Sequence, residues 1–542
     1  MLPDWLMGAM GQAPALFSSG SFQSPLATDA MCNPAALTLP AMSGIQVLSI
    51  SANKRENYTF FLNPLLGVPQ APVPDLNFCN VTVTYTHPGW NDLINVVTYL
   101  PTENKWNGVF LGIGGGGYIT GGEEAAQFIM VPSLSQNYAV STTDGGHTQS
   151  VEESIGYTNS WALSSPGNIN WPLLVDFAHV GLHDMATIGK AVTEAFYESP
   201  PKYSYFVGGS TGGRQGHMLA QRYPKDFDGL LAFAPAIHWS KFIFTNIYPA
   251  FVMESMKVYP RPCEMRAIQK AALSACDDLD GVADGIISRP GLCRFDPHTL
   301  VGKSFECDGA KTTFSSAGSN VAEAAWNGPR SATGEFQWYG FTYDADISMP
   351  VIGVASTECN ADGLCKAVPF PLSDVWARYW VKKDPDFDMK SITHEEWDEL
   401  FHASVSEYES VIGTSDPDLS AFRRAGGKMI NWHGMADQAI PVNGSVDYYE
   451  RVLKKDPKAQ DFYRLFLAPG VSHALDSGVA PQIPDMIKVI RDWVENGNAP
   501  ETLRAIGAIP NGKRQERDIC MYPRVQHYVG GDASNPGAFT CV

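Results

Sequence analysis

The sequence predicts an α/β fold in which a parallel sheet is covered by helices and interrupted by a long insertion. Two observations predict it. Short apolar runs alternate with amphipathic helical stretches up to about residue 236, and the same alternation resumes near residue 426. Between them, a segment rich in Trp, Pro, Gly, Asp and Cys shows few strand–helix pairs. We therefore expect one catalytic domain, formed by 1–236 and 426–542, and a lid domain at 237–425.

Each predicted element follows from the local hydrophobic pattern. Short apolar runs between turn-forming residues are typical of buried strands, whereas apolar residues three or four positions apart are typical of helices. We predict strands at 92–99, 106–113, 137–143, 204–208, 229–234, 428–433 and 462–467. We predict helices at 171–198, 213–222, 443–454 and 480–496. Residues 510–542 are predicted to be loop-like.

The composition excludes several classes of protein. The 542 residues include 38 basic and 57 acidic side chains, and the formal net charge of −19 argues against a nucleic-acid partner. No apolar run reaches the ~18 residues of a transmembrane helix, so no membrane partner is expected. The first residues, MLPDWLMGAMGQAPALF, lack the basic start and apolar core of a signal peptide. The oligomeric state stays open.

Ten cysteines, an even number, leave two interpretations open. In an intracellular protein, closely spaced cysteines favour a metal site, whereas in a secreted protein they favour five disulfides. Three Asn-x-Ser/Thr triplets begin at Asn57, Asn80 and Asn443. They are usable glycosylation sites only if the protein is secreted.

A serine stands where a predicted strand turns into a predicted helix. Residues 208–212 read Gly-Gly-Ser-Thr-Gly and match the G-x-S-x-G pattern of a sharp turn that exposes the serine hydroxyl. The strand before and the helix after are the context that this pattern requires, so Ser210 is the candidate nucleophile. The alternatives are an incidental serine in a glycine-rich turn and a phosphate-binding loop. The second is disfavoured because no Lys follows in the expected arrangement.

Two later loops contain the base and the acid that a serine nucleophile needs. Where such a turn is used, the chain order is serine, acid, histidine, each in a loop after a strand. Asp437 follows the predicted strand 428–433, and His473 follows the predicted strand 462–467. Taken singly, Asp437 could equally be a turn aspartate, and His473 could equally be a loop histidine bonded to backbone. Taken in order with Ser210, they predict a catalytic triad.

Backbone amides near the serine are expected to stabilise the negative charge that develops on a reacting carbonyl oxygen. The amide of Thr211 lies at the start of the predicted helix, where N–H groups are free. A second donor is expected from the glycine run after strand 106–113, with Gly116 favoured and Gly117 next. The alternative is a plain flexible loop. His433, at the end of a predicted strand, is expected to pack or to orient another group, and His217, on the predicted helix after Ser210, is expected to be structural.

The insertion contains a short acidic loop within 276–293. Carboxylates and backbone carbonyls are the hard oxygen ligands that calcium prefers, although the spacing here is not that of an EF-hand. The predicted ligands are the carboxylates of Asp277, Asp280 and Asp284 and the carbonyls of Val282 and Ile286. A solvated acidic turn is the alternative. Because the loop is far in sequence from Ser210, any metal there is expected to be structural.

In combination, these motifs resemble those of the tannase and feruloyl esterase family. The resemblance rests on Ser-Thr-Gly-Gly-Arg-Gln at Ser210, His-Gly-x-x-Asp-Gln at Asp437, the following His473, and Cys-Asp-x-x-Asp-Gly-x-x-Asp-Gly-x-Ile at Cys276. It implies an α/β-hydrolase core with a large inserted lid domain that carries structural calcium. It also implies a secreted serine esterase that acts on esters of aromatic acids. The family's triad and calcium ligands fall on the residues already named.

One departure from the family pattern concerns a disulfide. The family places a cysteine just before the nucleophile and another just after the catalytic histidine, whereas this sequence has Gly209 and Ala474. Both partners are absent together, so we predict that packing alone holds the triad. Without the cross-link, the histidine loop is expected to be more mobile.

The resemblance also implies three disulfides, Cys32–Cys79, Cys276–Cys293 and Cys520–Cys541. The pairing of the other four cysteines stays open, and Cys359–Cys365 with Cys263–Cys307 is the arrangement that proximity favours. Five aromatic residues of the predicted lid either line an acyl pocket or form lid core: Trp338, Tyr339, Trp376, Tyr379 and Trp380.

The expected function is therefore hydrolysis of small aromatic (phenolic) acid esters by a secreted serine carboxylic-ester hydrolase with an acyl-enzyme intermediate. Two alternatives stay open. One is a tailoring esterase or acyltransferase of secondary metabolism with the same triad. The other is an inactive hydrolase-fold protein that binds its ligand without cleaving it. The preferred acid and alcohol cannot be read from the sequence.

Overall fold

The computed structural model describes residues 31–61, 72–147, 150–156, 159–473, 478–508 and 514–542. Its strands, numbered along the chain, are β1 (Gln46–Phe60), β2 (Val73–Thr86), β3 (Ile94–Pro101), β4 (Val109–Ile113), β5 (Ala139–Thr143), β6 (Leu163–Ser165), β7 (Asn168–Ile169), β8 (Tyr203–Gly209), β9 (Gly229–Phe233), β10 (Ser304–Cys307), β11 (Ala310–Thr313), β12 (Ser356–Cys359), β13 (Cys365–Val368), β14 (Lys428–Gly434), β15 (Tyr463–Ala468), β16 (Gly478–Pro481), β17 (Thr502–Ala508), β18 (Arg514–Cys520), β19 (Gln526–Tyr528) and β20 (Phe539–Cys541).

The α-helices are α1 (Glu123–Ser135), α2 (Val151–Ser154), α3 (Trp171–Val175), α4 (Gly181–Tyr197), α5 (Thr211–Arg222), α6 (Trp239–Thr245), α7 (Tyr248–Met256), α8 (Pro262–Cys276), α9 (Ser316–Asn327), α10 (Pro371–Val375), α11 (His394–Tyr408), α12 (Ser420–Ala425), α13 (Val442–Lys455) and α14 (Ile483–Asn496). Three π-helical turns interrupt or extend helices, at Asp176–Val180, Trp376–Lys382 and Glu409–Gly413.

A nine-stranded sheet forms the centre of the catalytic core, in the order β1-β2-β3-β5-β4-β8-β9-β14-β15. The strands from β1 to β5 in this order pair antiparallel, and those from β5 to β15 pair parallel. Parallel neighbours direct their carboxyl ends to one edge of the sheet. The loops after β4, β8, β14 and β15 therefore meet at that edge.

The two faces of this sheet bury separate sets of side chains, as the period of two in a strand requires. Leu111 of β4 packs with residues of α1 and α14, whereas the adjacent Phe110 packs with residues of α4, α5 and α13. Both side chains are fully buried. A strand covered by helices on both faces reads as a continuous apolar run, which is why β4 and β9 could be predicted from the sequence.

Residues 234–427, all of which are described, contribute no strand to the large sheet. They form helices and two short hairpins, β10–β11 and β12–β13, around a core rich in aromatic side chains. This core also takes in Tyr118, Trp161 and Phe177 from the earlier part of the chain. The inserted segment is thus packed directly onto the loops that follow β4 and β5.

Several predicted elements differ from the structure. The strands β1 and β2 are missing from the prediction because their alternating polar residues give no apolar run; β1 is an edge strand with mostly exposed side chains. The prediction that 510–542 is loop-like is wrong, since β18, β19 and β20 lie there. The predicted helix 171–198 contains a π-helical turn, and the helix predicted from 480 begins at Ile483. The N-terminal segment MLPDWLMGAMGQAPALF, which was compared with a signal peptide, lies outside the described residues.

Five disulfides include all ten cysteines. They are the three pairs implied by the family resemblance together with Cys359–Cys365 and Cys263–Cys307. The interpretation of the cysteines as metal ligands is therefore wrong. Among the helices of the described ranges, none has the length and apolar character needed to cross a membrane.

Candidate active site

The turn between β8 and α5 holds Ser210 in a strained conformation, with φ 57° and ψ −122°. Its amide donates to the carbonyl of Phe233 at 2.9 Å, and its own carbonyl accepts from Ala236 at 3.0 Å. A side chain at Gly208 would lie 2.5 Å from the backbone of Gly212. The end of β9 and the loop after it therefore hold Ser210 in place through these two hydrogen bonds. The motif needs glycine at 208, because the backbone of Gly212 leaves no room for a side chain there.

The structure brings together the three side chains that the sequence singled out. His473, after β15, has Nε2 at 3.1 Å from Ser210 Oγ and Nδ1 at 2.7 Å from Asp437 Oδ2. Asp437 follows β14, the neighbouring strand. The amide of His473 donates to Gln438 Oε1 at 3.0 Å, which joins the histidine loop to the aspartate loop. A continuous line of contacts thus runs from carboxylate to imidazole to hydroxyl.

The carboxylate of Asp437 is 2% exposed and is surrounded by donors. Oδ1 accepts from the amides of Ala439 and Ile440 at 2.8 and 2.7 Å, and Oδ2 lies against His433 and His473. Burial favours the neutral acid, but the charges and hydrogen bonds of the two histidines outweigh it and hold the pKa of Asp437 well below its ordinary value. Asp437 is therefore an anion at neutral pH.

The pKa of His473 is raised above its ordinary value. Burial acts in the opposite direction, but the negative charge of Asp437 and its hydrogen bond to Nδ1 stabilise the imidazolium more strongly. With Nδ1–H directed at the carboxylate, Nε2 is left as the acceptor that faces Ser210 Oγ. This tautomer is the one that a general base requires.

A second histidine touches the same carboxylate. His433 is fully buried, with Nε2 at 3.1 Å from Asp437 Oδ2 and Nδ1 at 2.8 Å from Ser445 Oγ. An Nε2–H that donates to the carboxylate leaves Nδ1 to accept from the serine hydroxyl. The sequence signal for this residue is its position at the end of β14 in the His-Gly-x-x-Asp motif. His433 therefore orients Asp437.

His217 has a different environment. Its ring nitrogens lie 2.8 Å from the Gly213 carbonyl and 3.0 Å from the Tyr463 hydroxyl, and burial lowers its pKa to about 4. A neutral, fully bonded imidazole of this kind is structural.

The glycine loop after β4 is held against the nucleophile helix by three hydrogen bonds. The amide of Gly212 donates to the Gly115 carbonyl at 3.0 Å, the Gly115 amide donates to Gln215 Oε1 at 3.0 Å, and Thr211 Oγ1 donates to the Gly117 carbonyl at 2.6 Å. Gln215 was missed by the sequence reasoning, although it closes the Ser-Thr-Gly-Gly-Arg-Gln motif. Its role is to fix the glycine loop beside Ser210.

The predicted oxyanion donors lie in this same region. In the part of the chain that the structure describes, the amides of Thr211 and Gly117 donate to no acceptor. Gly116 pairs with Ile119 across a tight turn, in which Gly117 has φ 55°. A side chain at Gly117 would meet the Ser154 carbonyl at 1.7 Å, so glycine is needed there.

Comparison with known proteins points to a single family. Residues 79–542 match the family described as "Tannase and feruloyl esterase". A protein of Arthroderma benhamiae named "Probable feruloyl esterase" is 39% identical over 94% of this chain and 93% of its own. The "Mono(2-hydroxyethyl) terephthalate hydrolase" of Piscinibacter sakaiensis is 30% identical over 82% of this chain and 80% of its own.

The chain belongs to the tannase and feruloyl esterase family. The solved structure "Tannin acyl hydrolase from Aspergillus niger" superimposes with a TM-score of 0.82 at 27% identity, covering 94% of this chain and 95% of that one. The predicted α/β-hydrolase fold is thereby confirmed, and the protein is a carboxylic ester hydrolase.

An aromatic ring occupies the space beside Ser210, at the position where the family resemblance implied a cysteine. A Cβ at Gly209 would lie 2.0 Å from the ring of Phe233. That ring stacks on Trp432 of β14 with centroids 5.4 Å apart. The prediction that packing replaces the missing disulfide thus has a physical basis on the serine side, while Ala474 lies outside the described residues.

The acidic loop of the insertion follows α8 and is folded around its own carboxylates. Asp277 accepts from the amides of Asp284, Gly285 and Ile286, Asp280 accepts from those of Val282 and Ser288, and Asp284 accepts from that of Ile286. Within the described residues, the carbonyl oxygens of Val282 and Ile286, the two predicted backbone ligands, accept no hydrogen bond. All five predicted ligands therefore lie in one closed turn.

This loop is far from the triad in sequence but not in space. Asp284 forms a buried ion pair with Arg517 of β18, and Ile286 is 1% exposed. A side chain at Gly470, three residues before His473, would contact Ile286 at 3.1 Å. The loop therefore supports the segment that contains His473. This contact could not be inferred from the sequence separation of the two segments.

The aromatic residues predicted for the lid divide into two groups. Trp338, Trp376 and Trp380 are buried members of the lid core, and the indole of Trp376 donates to Ser404 Oγ at 2.8 Å. Tyr339 and Tyr379 are only partly buried and pack at the edge of that core. The alternative that these residues form lid core therefore holds for the three tryptophans.

We expect Gly209→Ala to lower the free energy of unfolding by about 1–3 kcal/mol, because the new methyl overlaps the Phe233 ring. Urea denaturation measures the change. Gly291→Ala is the matched control, since a Cβ there meets nothing within 4 Å. Adding Phe233→Ala to Gly209→Ala should cost less than the sum of the two single changes. Unchanged stability of Gly209→Ala contradicts the packing argument.

We expect His433→Leu to move the acid limb of the kcat/KM profile to higher pH, by up to about one unit. Without the His433 donor, the Asp437 charge acts more strongly on His473, so the pKa of His473 rises and the neutral base appears at higher pH. His433→Gln retains a donor and should restore much of the original profile. If His433→Leu shifts the profile to lower pH or leaves it in place, His433 does not orient Asp437.

Proposed function

We propose that this chain is a secreted esterase that cleaves esters of aromatic (phenolic) acids through a covalent acyl-enzyme at Ser210. The observation that carries the proposal is the line of contacts from Asp437 through His473 to Ser210 Oγ, at 2.7 and 3.1 Å. A serine hydroxyl is a poor nucleophile at its ordinary pKa and needs such an aligned base.

In the proposed acylation step, Ser210 Oγ attacks the ester carbonyl while His473 Nε2 takes the hydroxyl proton. Asp437 stabilises the imidazolium that forms. The tetrahedral intermediate then collapses, the bond to the alkoxy oxygen breaks, and His473 returns the proton to the leaving alcohol. Water attacks the acyl-enzyme in the same way, with His473 again as the base, and the acid is released.

The amides of Thr211 and of the Gly116–Gly117 turn are proposed to donate to the oxyanion. Their closeness to Ser210 is supported by the hydrogen bonds that bind the glycine loop to α5. Backbone donors fixed in this way need no reorganisation when charge develops, which makes them effective in the transition state. Gln215 contributes by holding the loop in position.

The substrate class rests on the relatives. Their printed names refer to feruloyl esters, tannin and a terephthalate ester, all of which contain an aromatic acid. The individual acid and alcohol are not carried over, because this chain departs from the family at Gly209 and Ala474. A panel of methyl ferulate, methyl gallate, acetylated aromatics and terephthalate monoesters identifies the preferred acid.

Secretion is supported by the cysteines. Five disulfides that leave no free thiol are typical of proteins in oxidising compartments. Of the three glycosylation triplets, Asn57 and Asn443 are exposed. Asn80 is half-buried on β2 and donates to Glu123 at 3.3 Å, so we propose the first two as the usable sites.

We expect Ser210→Ala to lower kcat for aromatic esters by at least about 10³-fold, because the attacking oxygen is removed. A hydrolysis assay on the panel measures the loss. Thr245→Ala, which removes a buried hydroxyl hydrogen-bonded to the local carbonyl of Phe242, is the matched control and should keep its activity. Unchanged hydrolysis by Ser210→Ala refutes the triad. If added alcohol or amine acceptors divert most of the acyl group, the chain is a transferase.

We also propose that the acidic loop binds a structural calcium ion through Asp277, Asp280, Asp284 and the carbonyls of Val282 and Ile286. The donor set fits, since all are hard oxygens in one closed turn. Of the three carboxylates in this turn, Asp284 is paired with Arg517, which leaves an excess of negative charge for a metal ion to neutralise. Bound calcium would neutralise that charge and stiffen the turn against Gly470.

We expect one calcium per chain by elemental analysis, and a melting temperature that falls on the order of 5–10 °C when a chelator removes it. Asp280→Asn should lose the ion, because it removes a ligand charge. Asp278→Asn is the matched control, because Asp278 is exposed and is not a proposed ligand. Absence of calcium together with an unchanged melting temperature in chelator disproves the site.

A further inference from the structure

A second buried cluster of ionisable groups lies around His87, outside the Ser210 site. His87 follows β2, Asp92 lies in the loop before β3, Asp176 begins the π-helical turn before α4, and Asp184 lies in the first turn of α4. All four side chains are at least nine-tenths buried. We call these four residues the His87 cluster.

The contacts within the His87 cluster centre on the imidazole. Nδ1 lies 2.5 Å from Asp92 Oδ2 and 3.9 Å from Asp176 Oδ1, while Nε2 lies 2.8 Å from Asp184 Oδ2. The Tyr85 hydroxyl also donates to Asp184 Oδ2, at 2.9 Å. One atom each of His87, Asp92 and Asp176 lie within 4.8 Å of one another, the spacing of ligands around a single ion.

Asp176 is the anomaly of the cluster. Its side chain is 0% exposed, and within the described residues neither carboxylate oxygen has a hydrogen-bond partner other than the neighbouring carboxyl group of Asp92. Leaving a buried carboxylate without donors is strongly unfavourable, and such groups in native proteins are paired or coordinate metals. Oδ1 points toward His87 Nδ1 and Asp92, so a ligand placed among these three groups would satisfy it.

The charges of the His87 cluster also favour a cation. Three carboxylates face one imidazole, and among the described residues no Lys or Arg forms an ion pair with any of them. The other titratable groups that interact electrostatically with these carboxylates include Tyr85, Tyr223 and His183, and the imidazole of His183 is itself hydrogen-bonded to Asp226. Three carboxylates around one imidazole leave an excess of negative charge in a buried site, which a cation would neutralise.

We propose that His87 Nδ1, Asp92 and Asp176 bind a divalent transition-metal ion, with Zn²⁺ as the best match to this nitrogen and oxygen donor set. Calcium fits poorly, because an imidazole is not among its usual ligands. Binding displaces the proton on Nδ1. The distance between His87 Nδ1 and Asp92 Oδ2 must then increase to about 3.3 Å, the separation of two ligand atoms around a tetrahedral zinc ion.

Asp184 supports the proposed metal site without binding the ion itself. Metal-bound histidines usually donate their other ring N–H to a carboxylate, which fixes the tautomer and the ring orientation. Asp184 occupies that position on Nε2, and Tyr85 in turn holds Asp184. The ion would join the β2–β3 loop to the π-helical turn and α4, and thus tie the antiparallel part of the sheet to its parallel part.

The test is zinc binding to the full chain, with calcium in excess in every buffer so that the acidic loop stays saturated. The protein is freed of transition metals with a zinc-selective chelator, titrated with Zn²⁺ by calorimetry, and examined by X-ray absorption at the zinc edge. We expect about one zinc per chain, with proton release and an oxygen and nitrogen shell that includes one imidazole and no sulfur.

Variants assign the ligands. Asp184→Asn should weaken zinc binding about 10–100-fold, and Asp176→Asn should weaken it further because a ligand charge is lost. His298→Gln is the matched control, since the imidazole of His298 lies in the insertion, is bonded to Glu323, and should leave binding unchanged. Asp176→Asn removes a buried charge, so this variant is expected to fold.

Three results overturn the proposal. If the wild-type chain binds no zinc, or if Asp176→Asn binds it as tightly as the wild type, protons and not a metal complete the His87 cluster. A zinc shell without imidazole assigns the ion to another place. Should either variant fail to fold, the absorption spectrum and the anomalous signal of zinc-soaked wild-type crystals decide between these outcomes.

Discussion

The buried carboxylate of Asp437 is the group on which the geometry of the active site depends. A carboxylate removed from water is strongly destabilising unless several donors surround it. Two fixed amides hold one oxygen, and two imidazoles share the other. Because the amides fix the plane of the carboxylate, His473 is aligned, and its Nε2 is directed at Ser210. The hydrogen bonds that compensate for burying this charge also orient the imidazole of His473.

The loops that meet at this edge are held by packing from three directions. The ring of Phe233 fills the space beside Gly209 and stacks on Trp432, which joins the serine turn to the strand that precedes Asp437. Gln215 ties the glycine loop to α5. The acidic loop of the insertion packs Ile286 against the segment before His473. The insertion is thus part of the support of the site.

Much of this arrangement could be predicted from the sequence because it depends on local patterns. Apolar runs gave β4, β8, β9, β14 and β15, and the loop after each of the last two contains one of the predicted partners of Ser210. Contacts between distant segments could not be predicted in this way. The role of Ile286 against Gly470, the donor from Gln215 and the Phe233 ring at Gly209 depend on how loops approach in space. Nor does periodicity reveal a π-helical turn, which carries Asp176 into the His87 cluster.

The central claim is that the alignment of Asp437 and His473 makes Ser210 the nucleophile. The most direct measurement is to treat the protein with a phosphonate that reacts with activated serines and to locate the adduct by peptide mass spectrometry. The account predicts one adduct on Ser210, formed in step with loss of ester hydrolysis, and much slower labelling of His473→Ala. An adduct on another residue, or loss of activity without any adduct on Ser210, would contradict it.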